Sequence, residues 1–325
     1  MQKKIICIGN ALVDRVCLLE SDKLLQEENL PKGSMQLISA EESERLTRRT
    51  QHLQSRRTTG GSAANTAMGT ANMGISTAYV GMVGEDEPGT FYIDSIKQNN
   101  ITPLIFRTPE QHTGLALALV SPDGERTFAT NLGAALTLSD KEITQELFVG
   151  YDYLHIEGYL ISNRTLFAKI MQSGKQAGCK ISIDLASYNV VEENLSFLKE
   201  VCRGTGIIFA NEEEAKAFTG KEAEQAVDLI AEYADIAVVK IGKKGSLIKH
   251  KGETFRISAG TRKATDTTGA GDMYAGGFLA ALCSGKDLLQ CGKTGSILAG
   301  NVIEVMGTSM DAERWQKIKA EVENI

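Results

Sequence analysis

The chain has 325 residues, 42% of them hydrophobic and 23% charged, enough to bury one large core or two modest ones in an ordinary globular protein. Its formal net charge of −6 leaves no surplus of Lys and Arg to neutralise phosphates. Bulk affinity for nucleic acid or an anionic membrane is thereby excluded, and an anionic substrate needs a local positive site.

The chain opens with charge and a short apolar run over 5–8, too short for a signal-peptide core or a membrane span, so a cytoplasmic location is expected. That run reads as a buried strand, as do 77–80, 153–156, 181–184, 207–210 and 236–241. Helix-like stretches over 62–73, 90–98, 163–176, 193–201 and 212–218 lie between them. The alternation predicts an α/β fold, a doubly wound, mainly parallel sheet with helices on both faces. Two segments break the rhythm: 12–19 and 34–38 flank a charged Pro-Gly connection, and 113–120 and 125–130 flank the hairpin turn Ser121-Pro122-Asp123-Gly124. Antiparallel hairpins do not belong inside a parallel array. They predict a small β-sheet lid, formed by about 11–40 and 102–131, on a single catalytic domain spanning 1–325. The stretch 41–57 mixes both charges at helical spacing and reads as a solvated helix face. The chain ends in helical stretches over 269–284, 288–305 and 312–322.

Asp266-Thr267-Thr268-Gly269-Ala270-Gly271-Asp272 carries the strongest chemical signal, because the run passes directly into an apolar helix. Small residues at Gly269, Ala270 and Gly271 let the amides of a helix start face outward at close range, a pocket for phosphate. Asp272 follows that pocket closely enough to take a proton from an alcohol attacking the bound phosphorus. A Gly-rich turn with an acid in the first helical turn is the plain alternative for the shorter Gly-Ala-Gly-Asp. Gly60 and Gly61 bring backbone against a polyhydroxyl ligand and Asn65 offers it a donor and an acceptor, or the pair simply begins a helix. Asn211 with Glu212, Glu213 and Glu214 has the form of an N-cap followed by an acidic first turn. Asn10 and Asp14, just past the first strand, suit ligand hydroxyls or a turn.

Asp-Thr-Thr-Gly-Ala-Gly-Asp followed by Ala-Gly-Gly-Phe strongly resembles the signature of the ribokinase-like (PfkB) carbohydrate and nucleoside kinases. The motifs at 60–65, 81–86 and 211–214 follow the same family pattern in order, so the resemblance covers nearly the whole chain. It implies a cytosolic ATP-dependent kinase for a small sugar or nucleoside, with Asp272 as base and Gly269, Ala270 and Gly271 as the anion hole. It further implies that Asn10, Asp14, Gly60, Gly61 and Asn65 bind the substrate. Arg126, Asn211, Glu214, Thr268 and Asn301 would serve ATP and its phosphates, with Glu214 holding Mg²⁺ through water and Asp266 helping to hold a monovalent cation such as K⁺. Gly-Asn-x-x-x-Asp at 9–14, Arg126 and Ala299-Gly300-Asn301 look more like adenosine kinase than ribokinase, while a sugar kinase of the ribokinase or fructokinase type shares Asp14, the glycine pair and Asp272. A catalytically silent binding protein is the third reading, opposed by the intact Asp272 loop. Lys240 departs from the family pattern, which more often has Thr there. Monomer and homodimer through the lid edge are both allowed.

Other patterns fail. The six cysteines lack Cys-x-x-Cys spacing and read as buried free thiols. Cys291-Gly292-Lys293-Thr294 ends like a P-loop, but Asp287 stands where its first Gly belongs. Tyr274 replaces the third Gly of a dinucleotide fingerprint beginning at Gly269, and the four histidines are too dispersed for a metal cluster.

Overall fold

Four consecutive apolar residues in Ile5–Ile8 (β1) have no accessible surface, because strands flank this segment on both sides and helices cover both faces. A computed structural model describes residues 3–325. The other strands are Leu12–Leu18 (β2), Met35–Leu37 (β3), Ser55–Gly60 (β4), Thr77–Gly84 (β5), Ile101–Thr108 (β6), Gly114–Val120 (β7), Arg126–Asn131 (β8), Tyr153–Glu157 (β9), Lys180–Asp184 (β10), Thr205–Asn211 (β11), Ala234–Lys240 (β12), Ser246–His250 (β13) and Glu253–Ile257 (β14). Helices occupy Lys23–Glu27 (α1), Ala40–Thr50 (α2), Ser62–Asn72 (α3), Glu87–Gln98 (α4), Arg164–Gln176 (α5), Tyr188–Val201 (α6), Glu212–Thr219 (α7), Ala223–Ile230 (α8), Ala270–Cys283 (α9), Leu288–Val302 (α10) and Ala312–Glu323 (α11). None of the helices among the described residues is long and apolar enough to cross a membrane.

A nine-stranded sheet runs in the order β14-β13-β12-β11-β10-β9-β1-β5-β6, parallel from β12 through β6 and closed by an antiparallel hairpin at the β14 edge. One apolar layer contains residues of α3, α9, α10 and α11, including Phe278, Leu298 and Trp315; a second contains residues of α5 to α8, including Phe167 and Phe218. The doubly wound α/β class is therefore observed.

The small sheet has the order β3-β8-β7-β2-β4. Cys17, Leu117, Leu119 and Ala129 turn one of its faces onto Leu25 and Leu46 of α1 and α2. Strand alternation gives Asp14, Val16, Ala116, Ala118, Phe128 and Thr130 to the other face. The expected lid boundaries, 11–40 and 102–131, need two corrections. Ile101–Thr108 pairs along its length with β5 in the large sheet, where Pro103 is tolerated because β6 is an edge strand. Ser55–Gly60 joins the small sheet beside β2, although its polar, largely exposed residues lack apolar alternation and continue the charged pattern of α2.

Between α3 and α9 the packing is set by glycine. A Cβ on Gly276 would lie 2.9 Å from Thr66 O and 3.0 Å from Gly69 Cα, so the two backbones approach without side chains between them. On its other side Gly277 meets Gly295 of α10, its Cβ position 3.0 Å from Gly295 Cα. Gly276→Ala is expected to destabilise the fold by about 1–3 kcal/mol, the usual cost of overpacking. Chemical denaturation would measure the change, and an unaltered midpoint would show that the helices can separate freely.

Candidate active site

The strands of the large sheet deliver polar groups to one edge. Asn10 follows β1, while Glu157, Asp184, Asn211 and Lys240 end β9, β10, β11 and β12. From β1 the large-sheet path goes first to β5 on one side and later to β9 on the other, so the carboxyl end of β1 is a switch point where a crevice opens. Here Asn10 Nδ2 donates to Glu157 Oε1 at 2.8 Å and Ala63 N donates to Oε2 at 3.1 Å. Burial pushes Glu157 up to about 7, with the hydrogen bonds from Ala63 and Asn10 opposing it. One amide hydrogen of Asn10, expected to meet a ligand, thus holds the start of α3 through Glu157. Gly60 and Gly61 have separate reasons to be glycine: a Cβ on Gly60 would lie 2.0 Å from Asp14 Oδ1, and Gly61 has φ 98° with its Cβ position 2.2 Å from Asn10 O.

The chain enters α9 through Gly269 at φ 71°, with no side-chain cap on the first-turn amides. Asp272 lies in that turn. Ser62 Oγ donates to its Oδ1 at 2.8 Å and Asn65 Nδ2 to its Oδ2 at 2.9 Å. Thr66 Oγ1 adds a bond to the Asp272 carbonyl at 3.2 Å, so one face of α3 fixes both the side chain and its backbone. Asn65 is 5% exposed, and its Oδ1 is buried with no hydrogen-bond partner among the described residues. That orphaned acceptor suits a hydroxyl donor.

Burial pushes Asp272 up to about 6; the Asp184 charge adds to this, while Asn65, Ser62 and Lys240 hold it down. Asp14 rises to about 7 through burial and then through the charge of Asp272, with Arg126 opposing. Asn65 thus binds Asp272 directly, and Asp14, on the same face of the small sheet as Val16, lies near enough to feel the Asp272 charge.

Arg126 and Asp266 join each other instead. Arg126 Nη1 donates to Asp266 Oδ2 at 2.5 Å and to Thr268 Oγ1 at 3.3 Å, tying the small sheet to the loop before α9. Asp266 also accepts from Thr268 N at 3.1 Å, Thr268 Oγ1 at 2.8 Å and Gly307 N at 2.6 Å. Each Asp266 oxygen thus accepts two hydrogen bonds, and the Arg126 guanidinium meets its charge.

Asn211 and Glu214 form a capping box. Glu214 N donates to Asn211 Oδ1 at 2.8 Å, while Asn211 N and Nδ2 donate to the two Glu214 oxygens at 2.8 Å and 2.6 Å. Burial pushes the Glu214 carboxyl up to about 7 and Asp184 adds to it, with Lys240 opposing. Asn301 stands apart from the Asp272 cluster, its side chain donating to Ile297 O at 3.0 Å and accepting from Arg262 at 3.3 Å.

Sequence reasoning passed over Ser62, Glu157 and Asp184. Each acid ends an apolar parallel strand, a recognisable sign of a buried carboxylate at the carboxyl edge. Ser62 carried no comparable signal, since its role follows from how α3 meets α9.

The likenesses to known proteins agree with this geometry. A probable sugar kinase from Rhizobium etli has the same fold with TM-score 0.89 and 29% identity over 99% of both chains. Adenosine kinase from Sinorhizobium meliloti matches with TM-score 0.88 and 29% identity over 99% of this chain and 100% of its own. A nucleoside kinase from Methanocaldococcus jannaschii is 27% identical over 99% of this chain and 97% of that protein. The pattern of the pfkB family carbohydrate kinases matches residues 32–315, and the chain belongs to that family.

Proposed function

We propose that the protein transfers the γ-phosphoryl group of MgATP to a hydroxyl of a nucleoside, with Asp272 as the general base. Membership in the family makes it a sugar or nucleoside kinase that uses ATP. The observation that carries the finer reading is the Asp272 carboxylate, gripped by Ser62 and Asn65 at the start of α9, which has no side-chain cap, and close enough for its charge to act on Asp14.

The steps assigned to the chain follow from that arrangement. Asp14 and the free Oδ1 of Asn65 orient the acceptor hydroxyls. Asp272 takes the proton of the attacking one. The amides of Gly269, Ala270 and Gly271, at the positive end of α9, meet the oxygens of the phosphoryl group, Ala270 N giving up its 3.2 Å bond to Thr267 O. Alignment and charge neutralisation supply most of the catalysis in phosphoryl transfer, so the protein needs little covalent chemistry. A bound magnesium ion would keep most of its shell for water and phosphate. Glu214, buried at the same sheet edge, is the carboxylate that suits its outer shell, and the ion supplies neutralisation of phosphate charge.

A nucleoside is favoured over a free sugar by the small-sheet face that carries Asp14. Val16, Ala116, Ala118 and Phe128 share the face of Asp14, and strand pairing adds Met35 and Leu37, the latter 66% exposed. An apolar, partly open surface of this kind suits the face of a heterocyclic base, whereas a bare hexose has hydroxyls on both faces to satisfy.

Asp272→Asn is expected to lower kcat by roughly 10²- to 10⁴-fold with acceptor binding retained. Normal turnover would remove Asp272 from the chemistry. In the wild type, kcat/KM for the acceptor should rise with pH through about 6 and then level off, because the base works ionised and its pKa is raised to about 6. A profile still rising steeply above pH ~8 would assign the base to another group. Phe128→Ser should raise the nucleoside KM by roughly 2- to 10-fold, from the loss of about 0.5–1.5 kcal/mol of aromatic contact, and leave the KM for ATP unchanged. An equal rise in both would place Phe128 outside the acceptor pocket.

A further inference from the structure

One buried cation at the carboxyl edge has no part in the steps above. Lys240 ends β12, and its Nζ donates to Asp184 Oδ2 at 2.8 Å, the two side chains being 14% and 7% exposed. Asp184 lies at the end of β10, with β11 between the two strands, so the lysine reaches across the end of β11, beside Asn211. The other Asp184 oxygen accepts from Ala186 N at 3.0 Å.

The ammonium also lies against the first turn of α9. A Cβ on Gly271 would be 2.9 Å from Lys240 Nζ, so glycine at that position leaves the space the cation occupies. A lysine ammonium has three N–H donors, and Asp184 accounts for one. No other acceptor lies within hydrogen-bonding distance of it among the described residues. The placement runs against elementary electrostatics, since the start of a helix is already positive and disfavours a cation. Burial works against the charge as well, but the carboxylates of Asp184 and Glu214, and more distantly Asp272, outweigh it and keep the lysine protonated. Two positive features facing one space, the uncapped amides and a buried ammonium with unspent donors, make a site for a multiply charged anion.

We propose that Lys240 is a catalytic residue whose ammonium binds the non-bridging oxygens of the migrating phosphoryl group, with Asp184 as its positioning residue. The proposal rests on the kinase reading above. In the transfer, the bond from the γ-phosphorus to the oxygen retained by ADP breaks, a bond to the acceptor oxygen forms, and the acceptor proton passes to Asp272. Lys240 exchanges no proton. It contributes fixed positive charge where the phosphoryl oxygens pass, an electrostatic role that is strongest in a site shielded from water. Asp184 keeps that charge in place and on the phosphate side of the cleft.

Lys240→Met keeps the bulk of the side chain but orphans a buried carboxylate, so it is paired with the double variant Lys240→Met/Asp184→Asn, which removes both charges together. Both are expected to lose roughly 10²-fold or more in kcat and roughly tenfold or more in affinity for MgATP by calorimetry, with nucleoside affinity changed by less than about threefold. Lys240→Cys, treated with 2-bromoethylamine, should regain at least about tenfold in kcat as the ammonium is rebuilt. The six native cysteines are all buried, so wild type carried through the same treatment is the control. A double variant with wild-type kcat and MgATP affinity overturns the proposal, as does a loss that tracks thermal stability and resists the alkylation. Wild type that transfers phosphate to no acceptor would defeat the kinase reading instead, and the MgATP calorimetry would still decide whether Lys240 holds phosphate.

Discussion

The close approach of α3 and α9 is the constraint on which the rest depends. Gly69 and Gly276 leave the two backbones in contact, and that contact sets Ser62, Asn65 and Thr66 at hydrogen-bonding distance from Asp272. A larger residue at the crossing would move the donors Ser62 and Asn65 away from a carboxylate 210 and 207 positions distant in sequence but adjacent in space. α9 is hemmed in again by Gly295 behind Gly277, so it cannot retreat. Stability and site geometry are therefore one property of this packing, held by small residues in three consecutive layers.

The second organising feature is electrostatic. Parallel strands bring Glu157, Asp184 and Lys240 to one buried edge, and α7 adds Glu214 beside them. Burial, and after it the charge of neighbouring carboxylates, holds Asp14, Glu157, Glu214 and Asp272 above their ordinary range, while Asp184 is held below it because Lys240 outweighs the burial that would raise it. Uncompensated, such a cluster would be costly to bury. Lys240 and the start of α9 supply the positive side inside the large sheet, and Arg126 supplies it from the small sheet while latching onto Asp266. In a chain of net charge −6, these are the local positive groups that an anion site needs, each cation paired with an aspartate.

Legibility from sequence followed burial. Strands inside the parallel sheet read correctly because both faces are apolar, and α9 announced itself through its small residues and the Asp266 to Asp272 run. Edge strands were read poorly. β4 is polar and exposed, β6 contains Pro103, and the β13–β14 hairpin closes the sheet without a crossover helix, so none has the apolar run of a central strand. Among the candidate site residues, short motifs singled out Asp272, Asn65 and Asp14 because their glycine neighbours are conformationally demanding. Asp266 could not be understood that way: its partner Arg126 is 140 positions distant, and only the folded chain shows that the carboxylate is already satisfied. Lys240 was visible as a departure, with its meaning hidden until Gly271 was seen beside it.

The proposed reading is one in which a carboxylate fixed by α3 strips a nucleoside hydroxyl while the start of α9 gathers the phosphoryl group. Its most direct test is a competition in which wild-type protein, [γ-³²P]ATP and magnesium meet equal concentrations of adenosine, ribose and fructose, and the labelled products are separated. The account expects the label on the nucleoside. Label on the ketose or pentose with none on the nucleoside, or release of free phosphate alone, would contradict it.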